Sequence, residues 1–110
     1  MEITTRKEAG CTIVDLSGTL DDQTTLADDV GRMLDDSNPR IILDLSKIKM
    51  ITSAGLSVLV QLTARSNTQG SKLALAAPSP FVMGVLQTTK LNRFFDLHAN
   101  LSDAIQSVSA

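Results

Sequence analysis

Thr52-Ser53-Ala54-Gly55 places two hydroxyls, then two small residues, between an apolar run and a long helical pattern. The stretch Ile41-Ile42-Leu43-Asp44-Leu45 reads as a buried strand, Ser46 to Ile51 as a short loop, and Ser53 as the residue at the mouth of the helix. A hydroxyl at a helix start has two uses. It can accept a backbone N–H as an N-cap, worth about 1 kcal/mol. It can also take a phosphate, which adds about −1.5 to −2 charges and three acceptor oxygens, next to a helix end that favours an anion. Spacing alone leaves both open.

Asp21 and Asp22 form the second chemically notable group, after Gly18-Thr19-Leu20 and before Gln23 and Thr24. As structural residues they would cap the first helix and favour its positive end. As functional ones they would meet a partner's cation or orient a hydroxyl. Two adjacent carboxylates do not make a metal site, and no cluster of His, Cys or carboxylate has ligand spacing. Catalysis lacks its parts. Ser53 has no nucleophile-elbow glycines around it, no glycine-rich phosphate loop is present, and the single histidine, His98, stands far along the chain. No catalytic residue, metal or cofactor is expected.

Composition narrows the partners. The chain has 110 residues, enough for one domain with its own core and too few for two. Aromatic residues make up 3% of it, with no Trp or Tyr, so stacking platforms for single-stranded nucleic acid are missing. Ten basic residues face twelve acidic ones without a basic stripe, which argues against nucleic acid as a partner. Cys11 is the only cysteine and lies in an apolar strand pattern, as a buried thiol in a reducing compartment would. The first residues hold no apolar core of signal-peptide length, and no run reaches the roughly 18 residues needed to span a bilayer. A soluble, cytoplasmic protein with no membrane partner is expected.

These groups need elements to position them. Residues 2–7 and 11–17 read as two strands joined at Glu8-Ala9-Gly10. Gly18 to Thr24 breaks the pattern and leads into a helix whose Leu26, Val30, Met33 and Leu34 share one face, until Asp36-Ser37-Asn38-Pro39 stops it. Arg40 opens the third strand. A helix over about 54–68 sets Ser57, Gln61, Ala64, Arg65 and Thr68 within about 100° of one another as its polar face. Leu56, Val58, Leu59, Val60 and Leu62 form its buried side, and Gly70 its C-cap. Lys72 to Ala76 is a fourth strand, parallel to the third through a right-handed crossover. Ser79 and Pro80 start a third helix carrying Phe81, Val82, Val85 and Leu86. A short strand or extended segment at 94–97 and a last helix over about 102–108 follow. The sum is a small α/β domain, a mixed sheet covered by helices.

Asp44-Leu45-Ser46, five residues, then Thr52-Ser53-Ala54-Gly55-Leu56 resembles the signature of the STAS family, and Gly18-Thr19-Leu20-Asp21 with Thr24 resembles that family's earlier glycine–leucine–aspartate loop. The element order matches as well, over essentially residues 1–110. The resemblance implies a STAS-like single domain with a mixed four- or five-stranded sheet and about four helices. Stand-alone members of this length are mostly anti-sigma-factor antagonists in bacterial partner switching. What this implies is a non-enzymatic switch. The unmodified protein binds an anti-sigma-factor serine kinase, phosphorylation of one serine ends binding, and a metal-dependent serine phosphatase restores it. The family's acceptor position is Ser53 here, with Thr52 the second hydroxyl beside it. Two positions depart from the pattern: Thr52 stands where the family has aspartate, and Ala54 where it has serine or threonine.

The expected partner surface comprises Asp21, Asp22, Thr24, Thr52, Ala54, Gly55, Ser57 and Gln61, because both loops leave one end of the sheet. The third helix, with Phe81 and Met83, is the next candidate. A different class of function is a STAS scaffold subunit of a transporter or sensor complex that is never phosphorylated. A serine hydrolase lacks a base.

Overall fold

The computed structural model describes residues 1–21, 25–35 and 39–109. Among them the chain runs β1 (Glu2–Glu8), β2 (Cys11–Leu20), α1 (Leu26–Leu34), β3 (Arg40–Ile51), α2 (Ser53–Gln69), β4 (Lys72–Ala76), α3 (Pro80–Thr88), β5 (Leu97–His98) and α4 (Leu101–Ser109). The five strands form one sheet in sequence order, with β1 antiparallel to β2 and the remaining neighbours parallel. The mixed sheet and its helices match the expected α/β architecture. A two-residue loop, Ala9-Gly10, closes the β1–β2 hairpin with both residues at positive φ (52° and 79°), the geometry that suits the twist of the flanking strands.

Alternation along the strands divides the core. Val14, Leu16, Leu43, Leu45 and Leu75 point to one face, where Leu26, Val30 and Leu34 of α1, Leu59 and Leu62 of α2, and Val82 and Leu86 of α3 bury them. Ile13, Ile42, Ala74 and Cys11 point to the other, under Ala104 and Val108 of α4. Cys11 is fully buried there, as its strand pattern predicts, with its sulfur 3.5 Å from Ser109 Oγ.

Four boundaries differ from the sequence reading. The residues Gly18 to Leu20, read as a break, continue β2, and Ser46 to Ile51, read as a loop, continue β3: Ser17 pairs with Lys47, Gly18 with Ile48, Thr19 with Met50 and Leu20 with Ile51. The alternating pattern was hidden because β3 carries extra residues opposite β2, between Asp15 and Ser17 and again between Gly18 and Thr19. Each such bulge shifts the side-chain alternation by one. The first helix starts at Leu26 with Thr25 in the N-cap position, so Asp21 does not cap it; Asp22 and Thr24 lie outside the described residues. The strand expected over 94–97 lies instead at Leu97–His98. Phe95 is buried and Phe94 packs against it edge-on, with ring centroids 5.2 Å apart, so packing rather than pairing holds these aromatics.

In α2 the polar face falls as expected, with Ser57, Gln61, Ala64, Arg65 and Thr68 all exposed. The buried side is narrower than expected. Leu59 and Leu62 are buried, whereas Leu56, Val58 and Val60 are half-buried, and Gly55, Thr63 and Ser66 complete the inner stripe. Gly70, at φ 73°, ends the helix in the left-handed conformation that glycine tolerates.

Candidate functional site

The parallel pairing of β2 and β3 brings Leu20 beside Ile51, so the chain leaves both strands at one end of the sheet. There the two segments singled out in the sequence meet at a single carbonyl. Leu20 O accepts the backbone N–H of Thr52 at 3.0 Å, and Thr52 Oγ1 lies 3.5 Å from the same oxygen. The first turn of α2 then closes over this point. Thr52 has extended backbone (φ −90°, ψ 167°), its Oγ1 accepts the Gly55 N–H at 3.0 Å, and its carbonyl accepts the Leu56 N–H at 2.8 Å.

Thr52 is therefore the N-cap of α2, and Ser53 is the first helical residue. The capping role that the sequence offered to Ser53 belongs to its neighbour. Ser53 is exposed, and among the described residues its Oγ meets no hydrogen-bonding partner. Its carbonyl accepts from Ser57 Oγ at 3.1 Å. Gly55 is the contact residue between the segments: a Cβ there would lie 2.1 Å from Leu20 O and 3.0 Å from Asp21 N. Both are backbone atoms with no rotamer to give way.

Ser53, Ser57 and Gln61 run along one side of a shallow groove of about 270 Å³, whose apolar lining is Leu56, Val60 and Leu91. Leu56 and Val60 pack against the core with one side and give the polar strip an apolar floor with the other. Ala54 is exposed beside Ser53. No acidic residue lies in the first turn of α2. Of the expected surface, the structure brings Asp21, Thr52, Ala54, Ser57 and Gln61, together with Ser53, to one end and one helix side, whereas Gly55 is buried against the Leu20 backbone and offers a partner no surface.

Two roles went unseen in the sequence. Asp44 Oδ1 accepts from both the backbone N–H of Ser46 (2.9 Å) and its hydroxyl (2.7 Å), at the first bulge of β3. The Asp44-Leu45-Ser46 motif thus pins the irregularity that offsets β3 against β2, and so sets where Ser53 emerges. The Asx-type spacing, an acid two residues before a serine, is the signal that could have disclosed it. Arg65, placed on the polar face of α2, reaches Asp35 at 2.7 Å and lies against Gly31 of α1, joining the two helices.

His98 has a different environment. Its Nε2 is 2.7 Å from Asp96 Oδ1, and the other Asp96 oxygen accepts from Ser107 Oγ at 3.0 Å. Among the described residues no hydrogen bond joins His98 to Ser53, and no group of three or more His, Cys, Asp or Glu side chains is placed to hold a metal.

The sequence matches the model of the STAS domain over residues 2–104. A protein of Thermotoga neapolitana, assigned by name to the anti-sigma factor antagonists, is 32% identical over 69 residues, which are 63% of this chain and 61% of that relative. The chain thus spans less than two thirds of the length of the curated relatives it matches. Among solved structures, an anti-sigma factor antagonist from Mycobacterium paratuberculosis superposes with a TM-score of 0.86 at 25% identity, covering 99% of this chain and 94% of that one. The anti-sigma factor antagonist SpoIIAA, in its unphosphorylated form, superposes at 0.79 with 18% identity over 98% and 96% of the two chains, a likeness of fold.

Proposed function

The chain belongs to the STAS domain family, and from that premise we propose that it is an anti-sigma-factor antagonist whose switch is Ser53. Unphosphorylated, it binds an anti-sigma-factor serine kinase and so releases the sigma factor. Phosphorylation of Ser53 ends that binding, and a metal-dependent serine phosphatase reverses it. The names carried by the relatives support the first part, and a neighbour described in its unphosphorylated form supports a phosphorylated counterpart.

One observation carries the assignment to Ser53. Its hydroxyl is exposed and, among the described residues, unengaged on the first turn of a 17-residue helix, while the adjacent Thr52 does the capping. An acceptor must offer an accessible oxygen in a fixed place. In the transfer, Ser53 Oγ attacks the γ-phosphorus of ATP, the bond to the oxygen of the leaving ADP breaks, and the hydroxyl proton passes to a base of the kinase. The product is a dianion on the same helix side as Ser57, Gln61 and the apolar groove. A partner surface closed over that groove in its neutral state would then bury an unpaired charge.

Incubation with the anti-sigma-factor kinase of the same genome and ATP, followed by intact-mass measurement and phosphopeptide mapping, tests the reading. One phosphate on Ser53 is expected, and Ser53→Ala should stay unmodified. A wild-type chain that takes no phosphate, yet co-purifies with a transporter or sensor complex, would replace the switch with the scaffold reading.

A further inference from the structure

Where β3 passes into α2 beside the end of β2, two neighbouring exposed residues carry hydroxyls, and their hydrogen bonding differs. Every polar group of Thr52 is in use. Its N–H goes to Leu20 O, its carbonyl receives Leu56 N–H, and its Oγ1 accepts from Gly55 N–H while lying 3.5 Å from Leu20 O. As a β-branched residue Thr52 has few rotamers, and the one it occupies points its hydroxyl back into the junction. Ser53, one residue on, has turned onto the outside of the helix with its Oγ unengaged among the described residues.

We propose that Thr52 is the positioning residue of this site: its hydroxyl, held between the Leu20 carbonyl and the Gly55 amide, fixes Ser53 as the acceptor and withdraws itself from phosphorylation. This inference rests on the reading of Ser53 as phosphoacceptor and adds what selects it over its neighbour. To reach a γ-phosphorus, Thr52 Oγ1 would have to swing out of the junction by rotation about Cα–Cβ, giving up the Gly55 N–H it accepts and its approach to Leu20 O. That would uncap α2 and loosen the grip on the carbonyl at which the two segments meet. Attack by Ser53 Oγ disturbs no hydrogen bond among the described residues. The contact at Gly55, where any Cβ would strike Leu20 O, makes the junction too close for α2 to slide and exchange the two positions. A neutral hydroxyl at position 52 therefore serves as a clamp on the acceptor, without contributing a charge.

The experiment uses the full chain, the anti-sigma-factor kinase with ATP, and four variants. Ser53→Ala should take no phosphate although Thr52 keeps its hydroxyl; label on Thr52 in that variant overturns the inference and leaves a phospho-switch standing. Thr52→Val, which keeps the shape and loses the hydroxyl, should slow phosphorylation of Ser53 at least tenfold, and Thr52→Ser should recover most of the rate. Ser79→Ala removes the corresponding cap of α3 and controls for general loss of stability; its rate should stay within twofold of wild type. Equal slowing in Thr52→Val and Ser79→Ala would overturn a positioning role. Hydrogen exchange at the Gly55 amide needs no kinase: it should quicken at least tenfold in Thr52→Val and return in Thr52→Ser. If the wild-type chain takes no phosphate, the phosphoacceptor reading falls. Gly55 exchange as fast in wild type as in Thr52→Val would separately overturn the clamp.

Discussion

At Gly55 two opposing effects can be weighed. Glycine inside a helix costs roughly 0.5–1 kcal/mol relative to alanine, so Gly55→Ala would ordinarily stabilise α2. Here the added Cβ would lie 2.1 Å from Leu20 O, and the obstacle is backbone. Separating them means moving the helix end off β2, in the range of about 1–3 kcal/mol for overpacking. The clash wins, and urea denaturation should show Gly55→Ala less stable than wild type. Ser53→Asp should divide stability from binding. A carboxylate at the first helical position adds about 0.3–1 kcal/mol of favourable interaction with the helix end, so the melting temperature should hold or rise. Affinity for the kinase should drop, and a hundredfold loss needs only about 2.8 kcal/mol. Calorimetric titration beside thermal melting reads both; unchanged affinity would remove Ser53 from the interface. The sequence disclosed two adjacent hydroxyls at a helix start but not which of them capped it. That depends on whether the extended-to-helical change falls before or after Ser53, and two hydroxyl residues in a row give no preference.

Among the elements, α2 carries the site and depends on its inner stripe. Leu59 is 0% exposed, beneath the sheet face that also receives Leu62. Leu59→Ala should cost about 2–5 kcal/mol in denaturant unfolding; a loss below about 1 kcal/mol would mean the helix packs with another face inward. The helices were legible because their apolar spacing, Ser79-Pro80 start and Gly70 stop act locally. β1 and β4 were legible to within a residue. The long β2 and β3 were not, because two bulges break the period-two pattern and only the pairing of Ser17 to Leu20 with Lys47 to Ile51 reveals a continued ladder. Nor could β5 be placed. Phe94 and Phe95 have high strand propensity, yet Phe95 is drawn into the core and the pairing starts at Leu97.

Over the whole molecule, the fold leaves α2 with one side open to solvent. The helices α1, α2 and α3 bury one sheet face and α4 the other, while Ser53, Ser57 and Gln61 stay exposed above the floor of Leu56, Val60 and Leu91. No helix among the described residues is long and apolar enough to cross a membrane. A second apolar strip lies on α3, where Phe81 is 48% exposed beside Gly84 and Val85, and Met83 of the same helix is half-buried. The two surfaces can be told apart. Ser57→Arg with Gln61→Arg places two long cations on the α2 strip without touching the core. Exposed substitutions of this kind usually change stability by less than about 0.5 kcal/mol. If the kinase closes over this strip, the pair should lower affinity at least tenfold, a change of about 1.4 kcal/mol, with an unaltered melting temperature. Phe81→Ser should then leave binding intact. Normal binding by the double variant together with loss in Phe81→Ser would move the interface to α3, and Ser53 phosphorylation would have to act on the partner from the edge of the contact rather than from within it.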